Sequence, residues 1–152
     1  MMHTTNEVLI AAPPERIFEL AAKTERWPAI LAHYRSVRVL QEQGCERVVE
    51  MAAWRDFIPV RWTAKQWNDS SVPRIRFHHI RGWTSGMDVE WQFEAEGEAT
   101  RVRIVHELDF HFPLARKFLG EHVVGGFFVH DIAGKTLERM KQLAEDGHTR
   151  IA

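Results

Sequence analysis

Between residues 34 and 110 apolar and polar positions alternate with a period near two, and beyond residue 113 the period lengthens to that of a helix. The alternation is sharpest late in the first region. Val89, Trp91 and Phe93 oppose Asp88, Glu90, Gln92 and Glu94, and Val102, Ile104, His106, Leu108 and Phe110 oppose Arg101, Arg103 and Glu107. The same reading predicts strands over Tyr34–Leu40, Glu46–Trp54, Ile58–Trp67, Arg74–Arg81, Gly86–Ala95 and Arg101–Phe110. Turn signals separate them: Gln43-Gly44, Arg55-Asp56, Asn68-Asp69-Ser70, Gly82 and Glu96-Gly97-Glu98. Links this short favour an antiparallel meander with one dry and one wet face.

The covering element for that dry face is a helix predicted over Pro113–Asp146. At about 100° per residue, Leu114, Phe118, His122, Gly125, Val129, Ile132, Ala133, Leu137, Met140 and Leu143 share one face. Pro113 suits a first turn and Gly147 a C-terminal stop. Such a helix would be on the order of 50 Å long, enough to cross a small sheet. Gly125-Gly126 leaves its inner face slim at the middle, which is expected to open a ligand-sized hole of several hundred Å³ beneath it.

At the other end of the chain, residues Met1–Asn6 read as a ragged leader, followed by a short strand at Glu7–Ala11. Pro13-Pro14-Glu15 then starts a two-turn helix, and Thr24–Pro28 breaks it before a second short helix through Leu31. Two short helices directly after a first strand form a corner, not a crossover. The predicted architecture is α+β: a seven-stranded curved antiparallel sheet around a long C-terminal helix, as a single domain over residues 1–152. Strand order stays open at this point.

Composition narrows the partners. A formal net charge of −1 provides no basic field for nucleic acid or anionic membrane. A single cysteine, Cys45, excludes an internal disulfide and suits a reducing cytoplasm. No apolar run reaches the ~18 residues of a membrane span, so a cytoplasmic protein without stable membrane insertion is expected. Six tryptophans against one tyrosine are unusual, and flat rings line sites for flat ligands as well as cores.

Several inward positions carry polar groups. Trp62 and Gln66 share a strand face, and a buried amide needs hydrogen-bond partners, which a ligand carbonyl or water at the sheet end could supply. His106 lies between Ile104 and Leu108 on the dry face, where an imidazole can donate to a carbonyl, relay a proton or simply bond a core neighbour. His122 sits mid-helix on the inner face, and parity turns His79 inward but not His78. Trp62, Trp91, Phe118, Gly125 and Val129 complete the expected wall. Trp27 reads as wall or plug. No spacing of His or Cys residues suggests a metal, and no cofactor is expected.

The chain resembles the START-like, helix-grip (SRPBCC) superfamily, and within it the polyketide cyclase/dehydrase group. The resemblance rests on Ala11-Ala12-Pro13-Pro14-Glu15-Arg16-Ile17-Phe18, on Trp27-Pro28, on Tyr34 through Leu40, on Trp62-Thr63-Ala64 and on Glu90 through Val102. It implies a cavity in which a poly-β-ketone folds, with Tyr34 matching a site tyrosine and Gln66 standing where the aromatase/cyclases carry an arginine. Glutamine polarises a carbonyl but does not hold an enolate as a permanent cation does. The expected function is binding of a hydrophobic aromatic or polyketide-like molecule, with cofactor-free aldol cyclisation or dehydration carried by Tyr34, Gln66, His106 and His122. A non-catalytic lipid or quinone carrier, and an interaction module of the chaperone-cofactor type, are the competing classes. Val124, Phe127 and Phe128 lie off the helix's inner arc and are expected to be covered by a second subunit or by the Pro14–Leu31 helix pair.

Overall fold

The computed structural model describes residues 2–55, 57–82, 84–108 and 129–151. The strands are β1 (Met2–Ile10), β2 (Tyr34–Gln43), β3 (Glu46–Arg55), β4 (Ile58–Asp69), β5 (Arg74–Gly82), β6 (Asp88–Glu96) and β7 (Ala99–Leu108). Between β1 and β2 stand α1 (Pro14–Ala22), a 3₁₀ turn (Thr24–Arg26) and α2 (Trp27–Ile30), and α3 (Val129–Ile151) follows the sheet. All seven strands form one antiparallel sheet in the order β1-β7-β6-β5-β4-β3-β2. It is a meander from β2 to β7 with β1 returned to the β7 edge, and the α+β expectation holds.

Two boundaries differ from the sequence reading. The leader is a strand: β1 pairs with β7 from Met2↔Leu108 to Ile10↔Thr100. Its inward positions there are Thr4 and Asn6, both polar, which erased the apolar alternation that marks the other strands. At the far end, α3 runs through Gly147 to Ile151 instead of stopping. The expected helix start at Pro113, with Phe118, His122, Val124, Gly125, Phe127 and Phe128, lies outside the described residues, as do Phe110 and the side chain of Val129.

The core follows from parity. Val102, Ile104, His106 and Leu108 of β7 are buried, as are Val89 and Trp91 of β6 and Ile75, Phe77 and His79 of β5. Ile132, Ala133, Leu137, Met140 and Ala144 form the buried stripe of α3, which packs on β1, β7 and α1. The wet face carries exposed ion pairs such as Arg103–Glu7 at 2.7 Å and Arg101–Glu7 at 3.0 Å. Among the described residues no helix is long and apolar enough to cross a membrane.

Candidate functional site

The inner face carries two buried polar centres, placed by different elements. The first is at the end of β4. Gln66 is fully buried, and both ends of its amide are taken by the protein. Nε2 donates to the Ala22 carbonyl at 2.9 Å and to Asn68 Oδ1 at 2.9 Å, while Oε1 accepts from the Thr24 hydroxyl at 2.8 Å. Arg47 reinforces the same junction through Glu25, Glu42 and the Ala22 carbonyl. Gln66 therefore ties α1 and the 3₁₀ turn to the sheet. Gln66 points inward, as strand parity predicts, but the helix corner covers that row of the sheet. Its hydrogen-bonding capacity goes to the backbone and neighbours, not to the cavity.

The second centre lies further along the face, between sheet and α3, around a partly open space of about 70 Å³. Its walls are rings in mutual contact. Tyr34 meets Trp27 edge-on at 5.0 Å and Trp62 at 6.0 Å, and Trp27 lies 5.8 Å from Trp91 and 6.3 Å from Phe77. The space lined by described residues is smaller than the several hundred Å³ expected from the sequence, and these rings take up much of it; the wall expected from Phe118, His122 and Gly125 lies outside the described residues. About 150 Å³ accommodates benzene in an apolar core, so even a single ring must part these walls. Met51 and Met87, which also line the space, have the rotamer freedom to yield.

Local backbone geometry sets His79 into this wall. Gly82 ends β5 with φ +105°, and a Cβ there would lie 2.7 Å from the Arg61 carbonyl oxygen, so only glycine lets β5 close so tightly on β4. The following turn is pinned by Gly86 N–H to the His79 carbonyl (2.7 Å) and Met87 N–H to the Thr84 carbonyl (2.9 Å). It delivers the Thr84 hydroxyl to within 2.6 Å of His79 Nδ1. The imidazole stacks on Trp62, with centroids 5.7 Å apart and planes within 3°.

His106 lines the same space from β7, opposite Val89 on one side and Thr4 on the other. Burial pushes both imidazoles down to about 3, with His106 adding to the shift of His79 and His130 to that of His106. Both are neutral at physiological pH. Burial raises the Tyr34 phenol, with a bond to Thr136 acting weakly in the other direction. The Thr136 hydroxyl also meets His33 Nε2 at 3.0 Å and donates to the Ile132 carbonyl at 2.8 Å.

Of the residues singled out from sequence, the structure brings Tyr34, Trp62, His79, Trp91 and His106 together around one space, and leaves Gln66 away from it. Sequence reasoning did not identify Thr84, Thr136 or the polar capacity of Trp27. Trp27 Nε1 is buried without a hydrogen-bond partner, as is His106 Nδ1. An indole N–H only donates, so the wall holds a donor with no acceptor. Among the described residues no group of three or more His, Cys, Asp or Glu side chains is placed to hold a metal ion.

A sequence model described as polyketide cyclase / dehydrase and lipid transport matches residues 10–141. The chain belongs to that family. A Streptomyces halstedii protein provisionally named a polyketide cyclase is 28% identical over 105 residues, 66% of this chain and 95% of that protein. Among solved structures, the Zhui aromatase/cyclase of Streptomyces sp. R1128 superposes with a TM-score of 0.80 at 20% identity, covering 94% of this chain and 93% of its own. A START superfamily protein of Mycobacterium smegmatis gives 0.69 at 14% identity over 100% of both chains. At such identities the superpositions establish the START-like helix-grip fold and nothing finer.

Proposed function

We propose that this polyketide cyclase/dehydrase family member binds a flat, apolar, carbonyl-bearing molecule in the space between the sheet and α3. The observation that carries the proposal is the Trp27 indole N–H, buried in an aromatic wall with no acceptor. Leaving such a donor unpaired costs roughly 1–3 kcal/mol, and a ligand carbonyl recovers that cost while the rings take up its apolar body. The Trp27, Trp62 and Trp91 rings would supply the apolar contact that holds the ligand.

The chemistry available to such a ligand is polarisation by neutral donors. Tyr34 stays protonated, and the two imidazoles are neutral. In an aldol cyclisation one imidazole would take the α-proton, the enolate carbon would attack a second carbonyl, and the resulting alkoxide would take the proton back. Imidazoles held near 3 are weak bases for that first step. This favours the second reading, a carrier that holds a carbonyl-bearing molecule without turning it over. Turnover of a poly-β-ketone by the purified protein separates the two.

Binding itself is tested by calorimetric titration with acetophenone and with α-methylstyrene, in which CH₂ replaces the carbonyl oxygen. Acetophenone is expected to bind at least tenfold more tightly to the wild type, and Trp27→Phe to abolish that preference. Equal affinities on the wild type would contradict the proposal.

A further inference from the structure

One strand outward from the cavity lies a second unpaired polar group, of opposite sense to the first. Ile104 and His106 line the cavity, and their ladder partners on β1 are Asn6 and Thr4. Asn6 is 8% exposed and His106 7%. The amide nitrogen of Asn6 lies 3.2 Å from the His130 carbonyl oxygen and 3.2 Å from His130 Nδ1. A carbonyl only accepts, so this contact fixes the amide's orientation: Nδ2 faces α3 and Oδ1 is turned away from it. Asn6 Oδ1 is buried without a donor. Thr4 Oγ1 and His106 Nδ1, each able to donate, are likewise buried without partners.

These three atoms come from adjacent positions of one antiparallel pair, facing the same side of the sheet. Nothing else on the dry face of β1 is polar: Val8 and Ile10 continue it as apolar positions. Thr4 and Asn6 therefore interrupt a core face and are not satisfied by it, although buried polar groups are ordinarily paired. A ketone oxygen would pair with Thr4 or His106 but would leave Asn6 Oδ1 without a donor. A hydroxyl both donates and accepts, and so answers Asn6 Oδ1 together with Thr4 or His106.

We infer that Asn6 and Thr4, one strand beyond the cavity lining, form with the lining residue His106 a hydroxyl-reading subsite that takes the phenolic or enolic O–H of an aromatic ligand. In it the ligand hydroxyl donates to Asn6 Oδ1 and accepts from Thr4 Oγ1 or His106 Nδ1. The inference rests on the cavity binding a ring, as proposed above, and adds the chemistry that the ring must carry. A ligand with a carbonyl toward Trp27 and a hydroxyl toward Asn6 would satisfy both ends, and a site built to bond a hydroxyl discriminates strongly against an analogue that lacks it.

Phenol and toluene, which differ by O–H against CH₃ on one ring, are the probes. Titration calorimetry on the wild type is expected to give phenol at least a tenfold advantage over toluene. Thr4→Val and Asn6→Leu should each reduce that advantage to about threefold or less while toluene binds no more weakly than to the wild type. Thr4→Val nearly preserves side-chain shape, so it keeps the test available if Asn6→Leu does not fold. Equal binding of phenol and toluene to the wild type would overturn the subsite while leaving the cavity intact. An advantage for phenol that survives in Thr4→Val and in a folded Asn6→Leu would also overturn it. If neither probe binds, the cavity reading fails first and the subsite fails with it.

Discussion

Gln66 and His106 are both buried polar side chains on the dry face of one sheet, yet the fold treats them in opposite ways. Every hydrogen-bonding direction of Gln66 that the structure uses ends on the protein, at Ala22, Thr24 and Asn68. His106 Nδ1 ends on nothing, and Trp27 Nε1, Thr4 Oγ1 and Asn6 Oδ1 are in the same condition. A satisfied buried amide rigidifies a junction. A buried group left unsatisfied in the wall of a cavity costs stability that only an incoming molecule recovers. Residue type and parity are the same kind of evidence for both positions, and the difference comes from what is packed on top. The helix corner covers Gln66, and ring faces and a void cover His106.

The largest consequence is for stability. Gln66→Leu removes an amide that serves three protein groups and should destabilise the fold by roughly 2–4 kcal/mol in urea denaturation. His106→Leu, of similar bulk, removes an unpaired polar atom and should leave stability within about 1 kcal/mol of the wild type or slightly raise it. A large loss at His106 would erase the contrast between the two centres.

The same contrast governs the response of stability to pH. In the unfolded chain His79 and His106 take up protons near 6.5, whereas in the folded chain they resist down to about 3. Between those limits the unfolded state binds more protons, so stability falls as pH falls through that window and is fully present above it. Denaturation midpoints measured from pH 7 to pH 4 should decline, and less steeply in His106→Leu, while Gln66→Leu should keep the wild-type slope from its lower starting point. Equal slopes in wild type and His106→Leu would place the acid sensitivity elsewhere.

These contrasts also mark how far the sequence could be read. Period-two alternation gave β2 to β7, because Val102, Ile104 and their neighbours alternate with charged residues without interruption. It failed at β1, where Thr4 and Asn6 occupy the inward positions, and the same polar pair that hid the strand makes it chemically interesting. Parity placed Trp62, His79, Trp91 and His106 correctly around one space. It could not tell that Gln66, two alternations beyond Trp62, falls under α1, since that depends on where the helix corner crosses the sheet. Nor could it anticipate the orphaned indole of Trp27, because an unpaired donor is a property of everything around it. Among the described residues the space is smaller than expected for a related reason: side-chain parity counts which rings face inward but not how closely they pack.

The central claim is that the unpaired groups around His106 read a ligand while the paired group at Gln66 does not. The most direct measurement is ¹H–¹⁵N NMR of the labelled protein titrated with acetophenone, following the Trp27 indole N–H and the Gln66 side-chain amide. The indole proton should move downfield as it gains an acceptor, with the Gln66 amide signals unmoved. An indole resonance that stays in place while the ligand binds, or a Gln66 amide that shifts in its stead, would contradict the account.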